Sequence, residues 1–345
     1  MIKNSLLALS LLIALFSCKK SEDSSLSKAP SGWEILETPV ESSLRGLSPL
    51  TNDIAWASGS KGTWMKTVDG GKTWDHGVIA GLDTVDFRSI QAFDALTAIA
   101  VSAGQPAVIY KTLDGGKTWE LKHQENELAF LDGISFSSEN RGFVIGDPNE
   151  GKWTILQTAN QGNTWYPIDS LPGATEGEAA FAASATSLHS EGNYLWLGTG
   201  GSESNLHYSK DMGASWEKYS SPFIQGESSQ GIFSITSIGN GEIVAVGGDY
   251  LNEGMLEGVS GIFVSKDKEW VKPQQGPGGY RSGVVYFPRQ KWLIAVGPSG
   301  SDYSNDSGIT WQPISSEGFH AVKMGQADGS IWASGAKGKI AKLKY

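Results

Sequence analysis

Six short segments of the chain are versions of one another, and their spacing restricts the fold more than any other feature. The shared pattern is Ser/Thr-x-Asp-x-Gly-x-Ser/Thr-Trp. It reads TVDGGKTW at 67–74, TLDGGKTW at 112–119, SKDMGASW at 209–216 and SNDSGITW at 304–311. It recurs with Asn160 in place of Asp in TANQGNTW (158–165), and shortened in SKDKEW (265–270). The closing tryptophans, Trp74, Trp119, Trp165, Trp216, Trp270 and Trp311, follow one another at intervals of 45, 46, 51, 54 and 41 residues. A period near 45 with several short strands per unit is the signature of a propeller or a solenoid.

Each unit has the same internal order. An apolar run ending in Gly precedes each tryptophan: IAWASG (54–59), AIAVSAG (98–104), GFVIG (142–146), YLWLG (194–198), EIVAVGG (242–248) and WLIAVG (292–297), with a seventh, SIWASG, at 330–335. Before each run lies another strand-like piece, beginning LRGL, FRSI, LDGI, FAAS, IFSI, YRSG and FHAV. With the two strands that meet at the repeated turn, this makes four strands per unit. The expected fold is all-β, a seven-bladed propeller of four-stranded blades. The seventh unit lacks its last strand, and GWEILETP (32–39) looks like SWEKYSSP (215–222). The N-terminal strand is therefore expected to complete the last blade, leaving no long sheet edge in the ring.

In each repeated turn the Asp can accept backbone N–H bonds, and Gly supplies the backbone geometry. The Trp can bury roughly 150–250 Å² between blades. With Trp33, seven of the thirteen tryptophans occupy this position. The turn reads as architecture, repeated because the blade is repeated.

The first residues, MIKNSLLALSLLIALFSC, have the basic start, apolar stretch and small-residue end of a secretory signal. Leu15-Phe16-Ser17-Cys18 resembles the bacterial lipobox, in which the thiol is acylated and the signal is cut just before it. The expectation is a lipoprotein signal peptide over 1–17, lipidated Cys18 with a flexible tether over 18–31, and the propeller over 32–345. Multiple acyl chains anchor stably. By analogy with other lipoproteins, Lys19 after the cysteine leans toward the outer membrane of a bacterial envelope. Cys18 is the only cysteine, so no intramolecular disulfide forms. The formal net charge is −10, or −11 without residues 1–17, which hold one Lys and no acid. That balance disfavours nucleic acid as a partner.

The box pattern is that of the BNR or Asp-box repeat, also found in sialidases and other glycosidases. Beyond residue 31 the chain resembles a narrower group, the propellers related to the photosystem II stability/assembly factor. The resemblance is carried by DFRSIQAFD, GDPNEGKW, GEAAFAAS, AVGGDY, GGYRSGVVY and AVGPSGSDYSNDSGITW. Bacterial relatives often bear the label oxidoreductase. The sequence offers no support for it: no Gly-rich dinucleotide fingerprint and no His/Cys metal cluster is found. No cofactor and no metal is expected.

In a propeller the first strand of each blade lines the central channel. Function is expected on the face away from the boxes. Aligning the first strands puts Arg45, Arg88, Asp132, Ala182, Phe233, Arg281 and His320 at one equivalent position. Arginine offers a planar, permanently charged fork for carboxylates and other anions. Glu178, Tyr280 and the loop residues Asp147, Asp249 and Asp302 complete the candidate ligand-binding set, with Tyr250 and Tyr303 beside them. The same charges also suit an ion-pair network filling the channel. Two functions stand against each other. One is a non-catalytic scaffold, expected as a monomer, that binds a protein or a polar, anionic ligand at the channel mouth. The alternative is a sialidase-like glycoside hydrolase, with Arg45, Arg88 and Arg281 on the substrate carboxylate and Tyr280, Glu178 and Asp132 as its reacting groups.

Overall fold

The computed structural model describes residues 29–239 and 241–345. The expected signal peptide, Cys18 and all but the end of the expected tether lie outside the described residues. The rest is strand and turn, arranged as seven antiparallel sheets that form the blades of a propeller.

Blade one shows the plan. Leu44–Pro49 is innermost, followed outward by Ala55–Gly59, Thr63–Thr67 and Asp75–Val78. The middle strands are buried on both faces, so neither shows an in-out alternation; the second is mostly apolar, AWASG, while the third, TWMKT, also buries Lys66 and two threonines. The outer strand is exposed and polar. Neighbouring blades then share their cores. Ala55 and Ala57 of blade one pack with Ala321 and Trp332 of blade seven, while Trp56 and Trp64 pack with Phe87 and Ile90 of blade two.

The ring closes as the sequence suggests. Gly32–Leu36 pairs antiparallel with Ile340–Lys344, Trp33 opposite Leu343. The Trp33 indole is buried against Phe319, with ring centroids 4.9 Å apart, and its Nε1 donates to Ser301 Oγ at 2.9 Å. One tryptophan thus ties the first strand to both the last blade and the one before it.

The boxes are hydrogen-bonded knots. Asp69 Oδ1 accepts from the Lys72 and Thr73 amides and from Thr67 Oγ1, and Oδ2 accepts from Thr73 Oγ1 at 2.6 Å. Thr67 Oγ1 in turn accepts from the Gly71 amide. Gly70 and Gly71 both have positive φ, which only glycine adopts freely. The Asp114, Asp211 and Asp306 boxes repeat the contacts, and Asn160 does so with its amide. Each of the first four box turns also donates an amide to the hairpin joining its own blade's first two strands, as Gly70 does to Asp53 and Gly115 to Leu96. All of these turns therefore lie on one face of the ring.

Blade four departs from expectation. Its inner strand is Leu188–Glu191, not the FAAS segment. Residues 179–187 instead lie across the channel on the opposite face. The Ala180 amide donates to Asp147 of blade three, and the Ala183 carbonyl accepts from Arg45 of blade one. Ser184 Oγ donates to the Ser282 carbonyl of blade six, and Phe181 stacks on Phe233 of blade five at 3.7 Å and 6°. Just before this span, Glu178–Ala179 pairs with Gly200–Gly201, which joins the sheet of blade five.

Candidate functional site: the channel mouth

The site is built from the start of each inner strand. In blades one, three and five the antiparallel register slips by one residue there, and Arg45, Asp132 and Phe233 occupy the slips. Arg88 falls within the corresponding irregularity of blade two. A bulge bends its strand and re-aims the side chain, which is how a sheet edge-on to the channel delivers one to the opening. Counting back from the pairing of first and second strands gives His320 in blade seven, Ser187 in blade four and Ser282 in blade six. Ser187 and Ser282 thus replace Ala182 and Arg281 at that position. Blade four carries extra residues before its strand, and the sequence alignment set blade six off by one.

Above the channel is a cavity of ≈ 480 Å³ lined by Arg45, Arg88, Asp132, Asp147, Tyr280 and His320, among others. The 179–183 span forms part of its wall, with Phe181, Phe233 and Tyr280 as a buried aromatic cluster. Tyr280 meets the Phe233 ring edge-on at 4.8 Å, and Tyr250 does so at 6.2 Å. A larger groove of ≈ 800 Å³ lies beside it on the same face, around Phe223, Met255, Leu256 and Pro273.

The charges here are unevenly satisfied. Arg88 Nε donates to Asp86 Oδ2 at 2.7 Å. Arg45 donates only to the Ala183 carbonyl, and among the described residues it makes no ion pair. Burial, then the neighbouring Arg88, lowers the Arg45 guanidinium from its usual range. His320 is held down to about 3 by burial and by Arg45 and Arg88, so its ring is neutral; Nε2 lies 3.2 Å from Ser43 Oγ. Burial raises Asp147, whose Oδ1 accepts the Ala180 amide. Burial and then Asp147 raise Asp132 well above the carboxylate range, with Arg88 acting the other way. Burial also pushes the Tyr280 hydroxyl up.

Four expected site residues are used elsewhere. Arg281 is 3 % exposed and meets Asp302 through Nε and Nη2, both at 2.6 Å; its Nη1 donates to the Tyr280 carbonyl. The loop expected to present Asp302 is only Pro298–Ser299, so Asp302 and Tyr303 belong to the strand Gly300–Ser304. Glu178 sits in a buried polar knot. Its Oε1 accepts from Thr199 Oγ1 at 2.6 Å and Asn205 Nδ2 at 3.0 Å and lies 2.9 Å from His207 Nε2; its Oε2 accepts the Thr175 amide. Burial alone would raise this carboxyl, but the His207, Thr199 and Thr175 bonds hold it at about 2. Asp249 accepts from Gln230 and the Leu251 amide and so shapes its own loop. The residues of the glycosidase reading are therefore not gathered in one place: Glu178, a reacting group, and Arg281, a carboxylate-binding arginine, do not line the mouth cavity. Among the described residues no three His, Cys, Asp or Glu side chains are grouped as metal ligands.

The family model described as photosynthesis system II assembly factor YCF48 matches residues 26–129, the first two blades and their flanks. In fold and in its opening repeats, the chain is similar to the photosystem II assembly factor. One solved structure, YCF48 bound to a D1 peptide, superposes with a TM-score of 0.63 at 18% identity, covering 93% of this chain and 96% of that one. YCF48 from Cyanidioschyzon merolae gives 0.65 at 18%, covering 90% and 98%. The WD40 propeller domain of Doa1 gives 0.59 at 10%, covering 92% and 97%. No curated protein sequence matches the chain. At these identities the solved structures share the fold, and the similarity to the assembly factor extends over the whole ring while the family model covers its beginning.

Proposed function

We propose that the chain is a non-catalytic, protein-binding propeller that receives an anionic group of a polypeptide partner at the channel mouth. The observation that carries this is Arg45: a half-buried guanidinium at the wall of a cavity, with one carbonyl contact and no carboxylate of its own among the described residues. Guanidinium groups desolvated in this way bind carboxylates through charge-assisted, often bidentate bonds. Arg88 adds a second cation, and Phe181, Phe233 and Tyr280 offer an apolar wall for the residue beside the anion. That a similar propeller has been solved with a D1 peptide bound supports a polypeptide as the partner. The site residues we assign are Arg45, Arg88, Asp132, Asp147, Tyr280 and His320.

We infer further that the propeller is held at a bacterial envelope membrane, the outer one in Gram-negative geometry, through acylated Cys18. The lipobox pattern Leu15–Cys18 supports this. One experiment addresses both parts. Full-length chain is affinity-captured from detergent-solubilised membranes as wild type, as Arg45→Ala/Arg88→Ala and as Cys18→Ser. The double variant should keep its fold and its membrane fraction but lose co-purifying protein. Cys18→Ser should leave the carbonate-washed membranes. Partners retained by the double variant would contradict the site, and membrane retention of Cys18→Ser would contradict the anchor.

A further inference from the structure

Asp132 stands in the wall of the mouth cavity, 1 % exposed, with no hydrogen bond of ordinary geometry to either carboxyl oxygen among the described residues. The backbone amides of Ala182 and Asp147 lie in its vicinity, Asp147 itself adds a second acid, and Arg88 is the cation acting on it. Asp86, Arg45, His320, Tyr250, Tyr280 and Glu253 complete the ionisable groups around the opening. A buried carboxylate with no donor is costly, whereas a neutral acid needs only an acceptor for its hydroxyl. Burial and the second acid both favour the neutral form.

We propose that Asp132, as a neutral carboxylic acid, donates a hydrogen bond to the same ligand carboxylate that Arg45 and Arg88 attract, so that one proton on this chain is part of the binding site. This rests on the anion reading of the mouth and adds a ligand class, a carboxylate with an apolar arm, and a control, the proton. A carboxylate brought beside Asp132 adds negative charge and accepts its hydrogen bond, so it raises the proton affinity of Asp132 further. Binding then takes up or retains a proton, and affinity falls as pH rises through the range where free Asp132 ionises. His320 stays neutral above about 3 and so does not supply this dependence.

The test uses 3-phenylpropionate, which carries the carboxylate and an aryl arm for the Phe181–Phe233–Tyr280 wall. Its binding is followed by calorimetry on the intact propeller between about pH 6 and pH 9, where the probe is ionised throughout. Wild type should bind more weakly by up to about tenfold per pH unit once Asp132 ionises. Asp132→Asn keeps a donor but cannot titrate, so it should still bind and its profile should be flat. Asp132→Ala should bind weakly at every pH. A flat wild-type profile, a slope unchanged in Asp132→Asn, or affinity that rises with pH would overturn the proton's role and leave the anion site standing. Full wild-type affinity in Arg45→Ala/Arg88→Ala, or no binding to wild type at any pH, would overturn the anion site itself.

Discussion

At the scale of single residues, the same carboxylate chemistry performs three jobs, separated by environment. Box aspartates lie at the surface: hydrogen bonds from the Thr73 hydroxyl and then its amide hold Asp69 down to about 2. Their role is to fold a turn. Asp132, buried with only the Ala182 and Asp147 amides nearby and no hydrogen bond of ordinary geometry among the described residues, is pushed the other way. Glu178 is buried with five donors or donor-capable neighbours and stays ionised. Its folded value is below its ordinary one, so its contribution to stability is present above about 4.5 and is lost as pH falls through about 2. Glu178→Gln should therefore cost about 2–4 kcal/mol near neutrality, because His207, Asn205 and Thr199 lose a charged acceptor in a buried site. Urea unfolding at a series of pH values checks this: the gap between wild type and variant should narrow in acid. A gap independent of pH would mean that the charge is not what stabilises the knot.

At the scale of elements, what the sequence made legible was whatever repeats. The boxes, the apolar second strands and the closing strand recur with recognisable residues, so their count gives seven blades and places Trp33 in the last one. What did not repeat was misread. The 179–187 span has the Ala and Phe content of a strand, and the 51-residue interval between Trp165 and Trp216 did not set it apart, since the next interval is 54. Its strand-like composition is used to bridge blades three, one, six and five over the channel. Arg281 was misplaced because a one-residue shift flips a side chain to the other face, and composition alone does not fix register. The closing strand yields a direct prediction. Trp33→Ala removes a buried indole and its bond to Ser301 and should cost about 3–5 kcal/mol. Deleting residues 31–40 should cost more, since Ile340–Lys344 then becomes an open edge. Thermal unfolding of both variants measures this, and a deletion that melts with wild type would contradict ring closure by this strand.

At the scale of the whole molecule, the two faces of the ring are chemically unlike. One carries the box turns, whose polar groups are spent on each other and on neighbouring hairpins. The other carries the cavity, Arg45 and Asp132, which have no ion pair and no carboxyl hydrogen bond respectively among the described residues, and the half-exposed Tyr250 over Phe233. A guanidinium without a carboxylate and a carboxyl without a hydrogen-bond partner among the described residues, both lining one cavity, are the physical basis for placing recognition there. The most direct measurement of that claim is site-specific photo-cross-linking in intact cells. A benzophenone amino acid replaces either Tyr250, 43 % exposed at the mouth, or Leu113, 60 % exposed in a box turn. The account predicts a discrete protein adduct from position 250 that disappears when Arg45 and Arg88 are both alanine, and none from position 113. An adduct from position 113 with none from position 250 would contradict it and move the functional surface to the box face.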